Sequence, residues 1–237
     1  MNLGERNRQY WSEYEAGTTP GVGNIPSATL LERLPQGARV LDVGTGTGEL
    51  AEALSKLGLS VAGIDINDHE ITANSARETS VTYSTQDITE RTNFEDASFD
   101  LVLFRYTLTS IHKDQWPALR TEAERITKPG SYVWLAEPGV NDAYASRYAL
   151  GSSVLGDEHA LYVFNDKDLA AKITDTHALE AVIANNQIAR IVRHYTEAEL
   201  MDLFPSFTKI SLEHNSDTSP SGYPLDTITM VLQKQEK

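Results

Sequence analysis

The stretch VLDVGTGTGEL, residues 40–50, decides the fold of this chain. An apolar run is interrupted by Asp42, three glycines then alternate with threonines, and a segment with helical apolar spacing begins at Glu49. Continuous apolar residues are typical of a strand that is buried on both faces of a parallel sheet. Glycine lacks a Cβ atom, so it permits positive φ and a close approach of the backbone to a ligand. The stretch therefore predicts a strand, a ligand-binding turn and a helix, in that order.

Alternating strand and helix patterns continue on both sides of this stretch. Apolar runs predict strands and amphipathic spacing predicts helices, and together these elements predict a parallel sheet covered on both faces. The predicted strands are 38–44, 59–66, 81–88, 98–108 and 131–139, and the predicted helices are 48–58, 68–77 and 113–130. Near the end of the chain, 196–204 carries the pattern of a capped helix, and 207–214 and 225–235 predict an antiparallel pair of strands.

Residues 139–194 interrupt the alternation. The segment 177–192 has apolar residues at helical spacing, so we expect a helical cap over the site. At the N-terminus, aromatic residues of segment 10–17 fall on one helical stripe, and residues 1–30 are expected to act as a lid or to pack on the domain. The whole chain, 1–237, is expected to form a single domain.

Composition restricts the classes of function. The 237 residues carry a formal net charge of −14, include no cysteine and are 40% hydrophobic. An acidic protein repels phosphate backbones, so we expect no nucleic-acid partner. Without an apolar span or a signal sequence, we expect no membrane association and a cytoplasmic location. The composition leaves the choice between monomer and homodimer open.

The glycine spacing distinguishes two classes of ligand. A dinucleotide-binding turn has the pattern G-x-G-x-x-G, whereas the glycines here are Gly44, Gly46 and Gly48, and Glu49 occupies the place of the third dinucleotide glycine. The carboxylate of Asp42 precedes the turn. It would repel a pyrophosphate and attract an α-ammonium group. Both observations favour S-adenosylmethionine over a dinucleotide.

The segment LDVGTGTG resembles the first motif of the class I S-adenosylmethionine-dependent methyltransferases. Asp65 follows at the end of the second predicted strand, where that family holds the ribose hydroxyls, and Asp87 stands where it contacts the adenine amino group. The segments FDLVLFRYTL and ITKPGSYVWLAEP resemble the family's fourth and fifth strand motifs. The resemblance implies a doubly wound, seven-stranded, mostly parallel sheet, the Rossmann-like methyltransferase fold, with an antiparallel terminal strand pair. S-adenosylhomocysteine would be the product of its cofactor.

The resemblance and the strand ends together give a set of candidate site residues. The cofactor candidates are Tyr14, Asp42, Gly44, Thr45, Gly46, Gly48, Asp65, Ile66, Asp87, Ile88 and Arg105. The candidates for contacts with the methyl acceptor are Trp11, Tyr106, Tyr144 and Tyr148, and the candidate general base is His159. The oxygen-rich segment around Glu137 is read as a turn, and no metal is expected.

These observations predict methyl transfer to an oxygen, nitrogen or carbon atom of a small-molecule metabolite, by in-line displacement in a capped pocket. A protein or peptide methyltransferase and a non-catalytic subunit that retains the fold remain alternatives. A nicotinamide-dependent oxidoreductase would require a different glycine spacing. Any single aspartate at a strand end is more often a turn former or a helix cap than a ligand contact, so the prediction depends on the ordered set.

Overall fold

The structure, a computed structural model, describes residues 3–13, 24–141, 153–155, 159–164, 188–218 and 224–236. Its α-helices are α1 (Leu3–Ser12), α2 (Ala28–Leu31), α3 (Glu49–Lys56), α4 (Asp68–Ser75), α5 (Trp116–Ile126) and α6 (Glu197–Leu203). Its strands are β1 (Arg39–Val43), β2 (Ser60–Asp65), β3 (Thr82–Thr85), β4 (Phe99–Arg105), β5 (Thr127–Pro138), β6 (Ser153–Leu155), β7 (Ala160–Phe164), β8 (Ile188–Arg193), β9 (Phe207–Thr218) and β10 (Pro224–Lys234).

Seven strands form one sheet in the order β3-β2-β1-β4-β5-β10-β9. Strands β1 to β5 run parallel, and β10 is antiparallel to both β5 and β9. The seven-stranded sheet with its antiparallel terminal pair is confirmed. Strand β4 is buried over its first six residues because it lies in the middle of the sheet with helices on both faces.

The core lies on both faces of this sheet. One apolar cluster includes Leu41, Phe104 and Leu200, and the other includes Leu50, Leu101 and Trp134, all at 1% exposure or less. Neighbouring residues of each central strand fall in opposite clusters, because strand side chains alternate between faces. This two-sided packing fixes the register and brings the carboxyl ends of β1 to β5 to one edge.

The helical expectation for the cap is wrong for the part of 139–194 that the structure describes. Strands β6, β7 and β8 form a separate antiparallel sheet in that order. Residues 188–192, predicted as helical, belong to β8. Its isoleucines and valine suit a pleated strand, and short apolar runs do not distinguish the two structures by periodicity alone.

Two 3₁₀ turns, Leu108–Ser110 and Lys113–Gln115, follow β4 at the ligand-binding edge. Helix α1 packs against these turns and against β8. The second sheet and α1 therefore lie over the carboxyl ends of the parallel strands. Among the described residues, no helix has both the length and the apolar character needed to cross a membrane.

Candidate functional site

The turn between β1 and α3 places three glycines in the left-handed region. Gly44, Gly46 and Gly48 have φ of 67°, 49° and 76°. A Cβ atom on Gly44 would lie 2.6 Å from Thr107 Cγ2, whereas one on Gly46 would meet no atom within 4 Å. Gly44 is therefore needed for packing against the loop after β4, and Gly46 borders open space.

Asp65 ends β2 beside this turn. Its carboxylate accepts hydrogen bonds from the backbone N–H groups of Gly46 at 2.9 Å and of Asn67 at 3.0 Å. Burial raises the pKa of Asp65, and both of these hydrogen bonds oppose the rise. The Asn67 side chain caps α4, so Asp65 is held between the glycine turn and the start of the next helix.

Asp42 is buried below the turn rather than exposed at its surface. Its carboxylate accepts a hydrogen bond of 2.8 Å from Thr45 Oγ1, and burial raises its pKa to about 6. The two side chains thus fasten the glycine turn to the end of β1. The structure gives Asp42 and Thr45 supporting contacts within the turn.

A cavity of about 410 Å³ opens at the carboxyl ends of the parallel strands. The glycine turn, the ends of β2 and β4 and the loop after β3 form one side, and α1 and β8 contribute Arg8, Trp11 and Val192 on the other. Apolar side chains such as Trp11, Val43 and Ile64 share the lining with many polar and charged residues. Such concave, partly apolar sites are typical of small-molecule binding.

The cavity brings together about half of the predicted site residues. The predicted residues that line it are Trp11, Gly44, Gly46, Asp65, Ile66, Asp87, Ile88 and Tyr106. Asp42, Thr45, Gly48, Arg105 and His159 are not among its lining residues. Tyr14, Tyr144 and Tyr148 lie outside the described residues.

Asp87 is engaged by the N-terminal helix. Its Oδ1 accepts hydrogen bonds from the backbone N–H and the hydroxyl of Thr89, at 2.8 and 2.7 Å. Arg8 of α1 lies with Nε 3.0 Å from Asp87 Oδ2 and with a terminal nitrogen 2.8 Å from Glu90. Sequence reasoning missed Arg8, because its role depends on where α1 docks.

Glu137 is a buried carboxylate and not an exposed turn residue. One of its oxygens accepts hydrogen bonds from the backbone N–H groups of Thr107 and Leu108, at 3.0 and 2.9 Å, and the other accepts one from Thr109 at 3.1 Å. Burial raises its pKa to about 8, while the three N–H groups favour the charged form. Glu137 therefore fixes the loop whose residues Thr107 and Thr109 line the cavity.

Tyr106 begins that loop with a φ of 55°, a left-handed value that is uncommon for a residue with a side chain. Its hydroxyl lies 2.9 Å from Thr227 Oγ1 and accepts a 2.7 Å hydrogen bond from Asn24 Nδ2. Strain in the backbone is thus offset by contacts with β10 and with the segment before α2.

His159, the predicted base, lies on the exposed end of the second sheet with a φ of 61°. Its Nδ1 is 3.2 Å from Glu199 Oε2, and Glu199 also binds Arg193 and closes the capping box of α6. These contacts connect the second sheet to α6. They do not favour a base role for His159 at the main cavity.

A family model described as a methyltransferase domain matches residues 26–204, from before α2 to the end of α6. The match includes the glycine turn, Asp65, Asp87 and the loop after β4. The chain belongs to this methyltransferase family. It is of the class I type that uses S-adenosylmethionine, as the glycine turn and the sheet order both indicate.

The methyltransferase is similar to demethylmenaquinone methyltransferase of Renibacterium salmoninarum, with 34% identity over 101 residues. The matched part is 43% of this chain and 41% of that protein. A Methanosarcina mazei S-adenosylmethionine-dependent methyltransferase structure covers 90% of this chain, and 99% of its own chain is matched, with a TM-score of 0.69 and 23% identity.

The fold is also similar to that of 1,6-didemethyltoxoflavin-N1-methyltransferase from Burkholderia thailandensis, solved with bound 1,6-didemethyltoxoflavin and S-adenosylhomocysteine. The TM-score is 0.59 at 18% identity, with 88% of this chain and 76% of the other matched. At these identities the two structural likenesses concern the fold alone.

The residues at the cavity fit S-adenosylmethionine, the cofactor of the family. Open space beside Gly46 admits a ligand close to the backbone, and the carboxylates of Asp65 and Asp87 supply acceptors for hydroxyl and amino groups. Ile66 and Ile88 add apolar surface for a flat ring.

Proposed function

We propose that this methyltransferase transfers the methyl group of S-adenosylmethionine to an oxygen, nitrogen or carbon atom of a small molecule. The observation that carries the proposal is the cavity of about 410 Å³, which lies between the strand ends on one side and α1 and β8 on the other. A cavity of this size, covered by two elements, suits a small acceptor. A protein substrate would require a wide open groove.

Each lining residue has a role in this proposal. Asp65 accepts hydrogen bonds from the ribose hydroxyls, and Asp87, with Ile88 beside it, holds the adenine. The glycine turn binds the methionine part of the cofactor, with Gly46 facing it and Asp42 and Thr45 supporting the turn from below. Tyr106 and Trp11 border the acceptor.

The bound cofactor supplies a methyl group on a positively charged sulfur. A nucleophile attacks this methyl group in line with the sulfur, which leaves. The chain's own contribution is to hold both reactants and to exclude water. Positioning two reactants in this way supplies about 7–11 kcal/mol of a reaction barrier in favourable cases. The loop fixed by Glu137 and the helix α1 that packs against this loop both line the cavity and meet these requirements.

The name of the curated relative supports the small-molecule class. The relative from Renibacterium salmoninarum is named for demethylmenaquinone, which is a small molecule. The net charge of −14 also disfavours polyanionic acceptors. The cytoplasmic location remains a prediction, as does the monomeric or homodimeric state. The contacts proposed for Tyr14, Tyr144 and Tyr148 also remain predictions.

Isothermal titration with S-adenosylhomocysteine tests the cofactor site in the wild type, in Asp65→Ala and in Asp202→Ala. Asp202 is an exposed carboxylate of α6 and serves as the matched control. We expect Asp65→Ala to weaken binding roughly tenfold to a hundredfold, because a hydrogen bond to a charged group is worth about 1.5–3 kcal/mol. Asp202→Ala should bind as the wild type does.

Thermal unfolding of each variant shows whether the fold is retained. If Asp65→Ala is unstable, Asp65→Asn keeps the volume and removes the charge. Transfer from tritiated S-adenosylmethionine to a panel of phenols, hydroxyquinones and nitrogen heterocycles then tests the acceptor class. A folded wild type that binds neither form of the cofactor would refute the proposed function.

A further inference from the structure

A second cavity, of about 90 Å³, adjoins the main one. Thr109 and Ile111 line both, so the two cavities share a wall. The smaller cavity is enclosed by α1, the two 3₁₀ turns, β7 and β8. It lies beside the loop after β4, which also carries Tyr106, one of the two residues that the proposed function places at the acceptor.

Three polar side chains of this small cavity make hydrogen bonds or ion pairs that join the surrounding elements. Asn7 donates to Ser110 O and accepts a 2.8 Å hydrogen bond from Ile191 N. Thr109 donates to Arg193 O at 2.6 Å. The Arg193 guanidinium binds Glu199 at 2.7 Å and lies 5.0 Å from the Trp116 ring centre. These groups hold the walls together.

His112 differs from them because it can exchange a proton. It lies between the two 3₁₀ turns, its side chain is 16% exposed, and its Nδ1 is paired with Asp114 Oδ1. A carboxylate on Nδ1 orients the ring and leaves Nε2 as the nitrogen that can take a proton, as in other histidine–carboxylate pairs.

The charges around His112 favour its neutral form. Burial lowers the pKa of the imidazole, and the positive charges of Lys113 and Arg193 lower it further. Asp114 is the carboxylate in contact, α1 contributes the uncharged Asn7, and β7 contributes the phenol of Tyr162. A neutral imidazole near pH 7 is the form that a general base requires.

We propose that the acceptor extends from the main cavity into the small one, and that His112, oriented by Asp114, is the general base for an acceptor with an acidic O–H or ring N–H group. This inference rests on the proposed function and deepens it. It commits the acceptor to a class that must lose a proton, such as a phenol or an N–H heterocycle.

The proposed reaction begins with the loss of the acceptor's proton. The acceptor O–H or N–H bond breaks and its proton moves to His112 Nε2. The electron pair left on oxygen or nitrogen forms the new bond to the methyl carbon. The bond between that carbon and sulfur breaks with its electrons remaining on sulfur, and the imidazolium then releases its proton to solvent.

The test uses 4-nitrophenol as a probe, because its phenolate absorbs visible light and its phenol form does not. The full-length protein is first saturated with S-adenosylhomocysteine, which carries no methyl group and allows no turnover. The probe is then added at a pH at which the free phenol predominates. We expect phenolate absorbance with the wild type and its loss in His112→Gln.

His214→Gln is the matched control, since His214 is also paired with an aspartate, 3.5 Å from Asp226, but lies on β9. It should retain the wild-type absorbance. Equal absorbance in the wild type and His112→Gln, or none in the wild type, would overturn the inference while cofactor binding stands. Failure of the wild type to bind S-adenosylhomocysteine would overturn the proposed function and this inference with it.

Cofactor titration also shows whether His112→Gln is folded. If that variant no longer binds S-adenosylhomocysteine, Asp114→Asn decides the question. It keeps the histidine and removes the charge that orients it, so the phenolate absorbance should fall. Unchanged absorbance in Asp114→Asn would then contradict the proposal.

Discussion

At the scale of single residues, Gly44 and Gly46 share a left-handed backbone but have different surroundings. Alanine at Gly44 would combine backbone strain with a Cβ atom 2.6 Å from the Thr107 side chain. We expect Gly44→Ala to lower the free energy of unfolding by about 2–4 kcal/mol. Alanine at Gly46 meets open space, so Gly46→Ala should cost only about 1–2 kcal/mol of strain.

For ligand binding we expect the opposite order: Gly46→Ala should weaken binding more than Gly44→Ala does. Both glycines line the cavity, but only the Cβ atom on Gly46 would meet open space, so its methyl group would occupy space proposed for the cofactor. Urea unfolding measures the first quantity and calorimetry with S-adenosylhomocysteine the second. Equal stability losses in the two variants would contradict the geometry of the turn.

Glu137 predicts a pH dependence of stability. Burial raises its pKa from the ordinary 4.5 to about 8, so between these values the folded protein binds more protons than the unfolded chain. Its stabilising contribution is then fully present below about pH 4.5 and is lost as the pH rises through about 8. We expect the free energy of unfolding of the wild type, measured in urea, to carry this downward slope.

Glu137→Gln supplies the comparison. Glutamine does not titrate, so the slope due to residue 137 should disappear. Its amide N–H₂ group would face one of the three backbone N–H donors, and we expect a loss of about 1–3 kcal/mol near pH 5. An unfolding free energy difference between the two proteins that is constant from about pH 5 to about pH 8 would show that Glu137 does not titrate in this range.

At the scale of elements, α1 is held over the cavity by two neighbouring residues of different kinds. Asn7 is 2% exposed and connects a 3₁₀ turn to β8, whereas Arg8 is about two-fifths exposed and pairs with Asp87 and Glu90. Buried hydrogen bonds are costly to break, and exposed ion pairs are worth about 0–1 kcal/mol. Asn7 should therefore contribute more than Arg8 to docking.

Hydrogen exchange in α1 measures this docking. We expect Asn7→Ala to speed exchange of the α1 amides strongly, Arg8→Ala to speed it slightly, and Gln9→Ala to leave it unchanged. Gln9 lies on the exposed side of the same helix and contacts Glu13 at 3.2 Å. Faster exchange in Arg8→Ala than in Asn7→Ala would mean that charge, and not the buried amide, holds the helix.

The strands show how much secondary structure the apolar pattern of the sequence predicts by itself. β1, β2 and β4 are buried on both sides, and their apolar runs predicted them with little ambiguity. β8 was predicted as helix, because a short apolar segment fits both periods and its pairing with β7 is not visible in its own residues. Tertiary pairing decided its structure.

At the scale of the whole molecule, the cavity joins parts that are distant in sequence, from α1 to β8. A ligand bound there contacts the sheet edge and its covering elements together, so it should stabilise the entire fold. At about 100 times its Kd, S-adenosylhomocysteine should add about 2.7 kcal/mol of unfolding free energy. Thermal unfolding with and without ligand measures this, and a shift confined to one phase of a biphasic transition would contradict it.

The sequence by itself determined the sheet, the glycine turn and the acidic residues at the strand ends, because each depends on local apolar period, on the lack of a Cβ atom or on position at a strand end. It thereby identified the family and the cofactor, and eight predicted residues that line the cavity.

Only the tertiary structure shows the surroundings of Arg8, His112 and Glu137. Arg8 contacts Asp87 from 79 positions away, Glu137 accepts N–H groups from a loop 28 to 30 residues earlier, and His112 gains a cavity only through α1, β7 and β8. Such contacts depend on how the helices and strands pack together. Neither the composition nor the periodicity of the sequence predicts which residue each side chain contacts. This is why the strand ends could be assigned in advance, whereas the proposed base and the residues that position the loop could not.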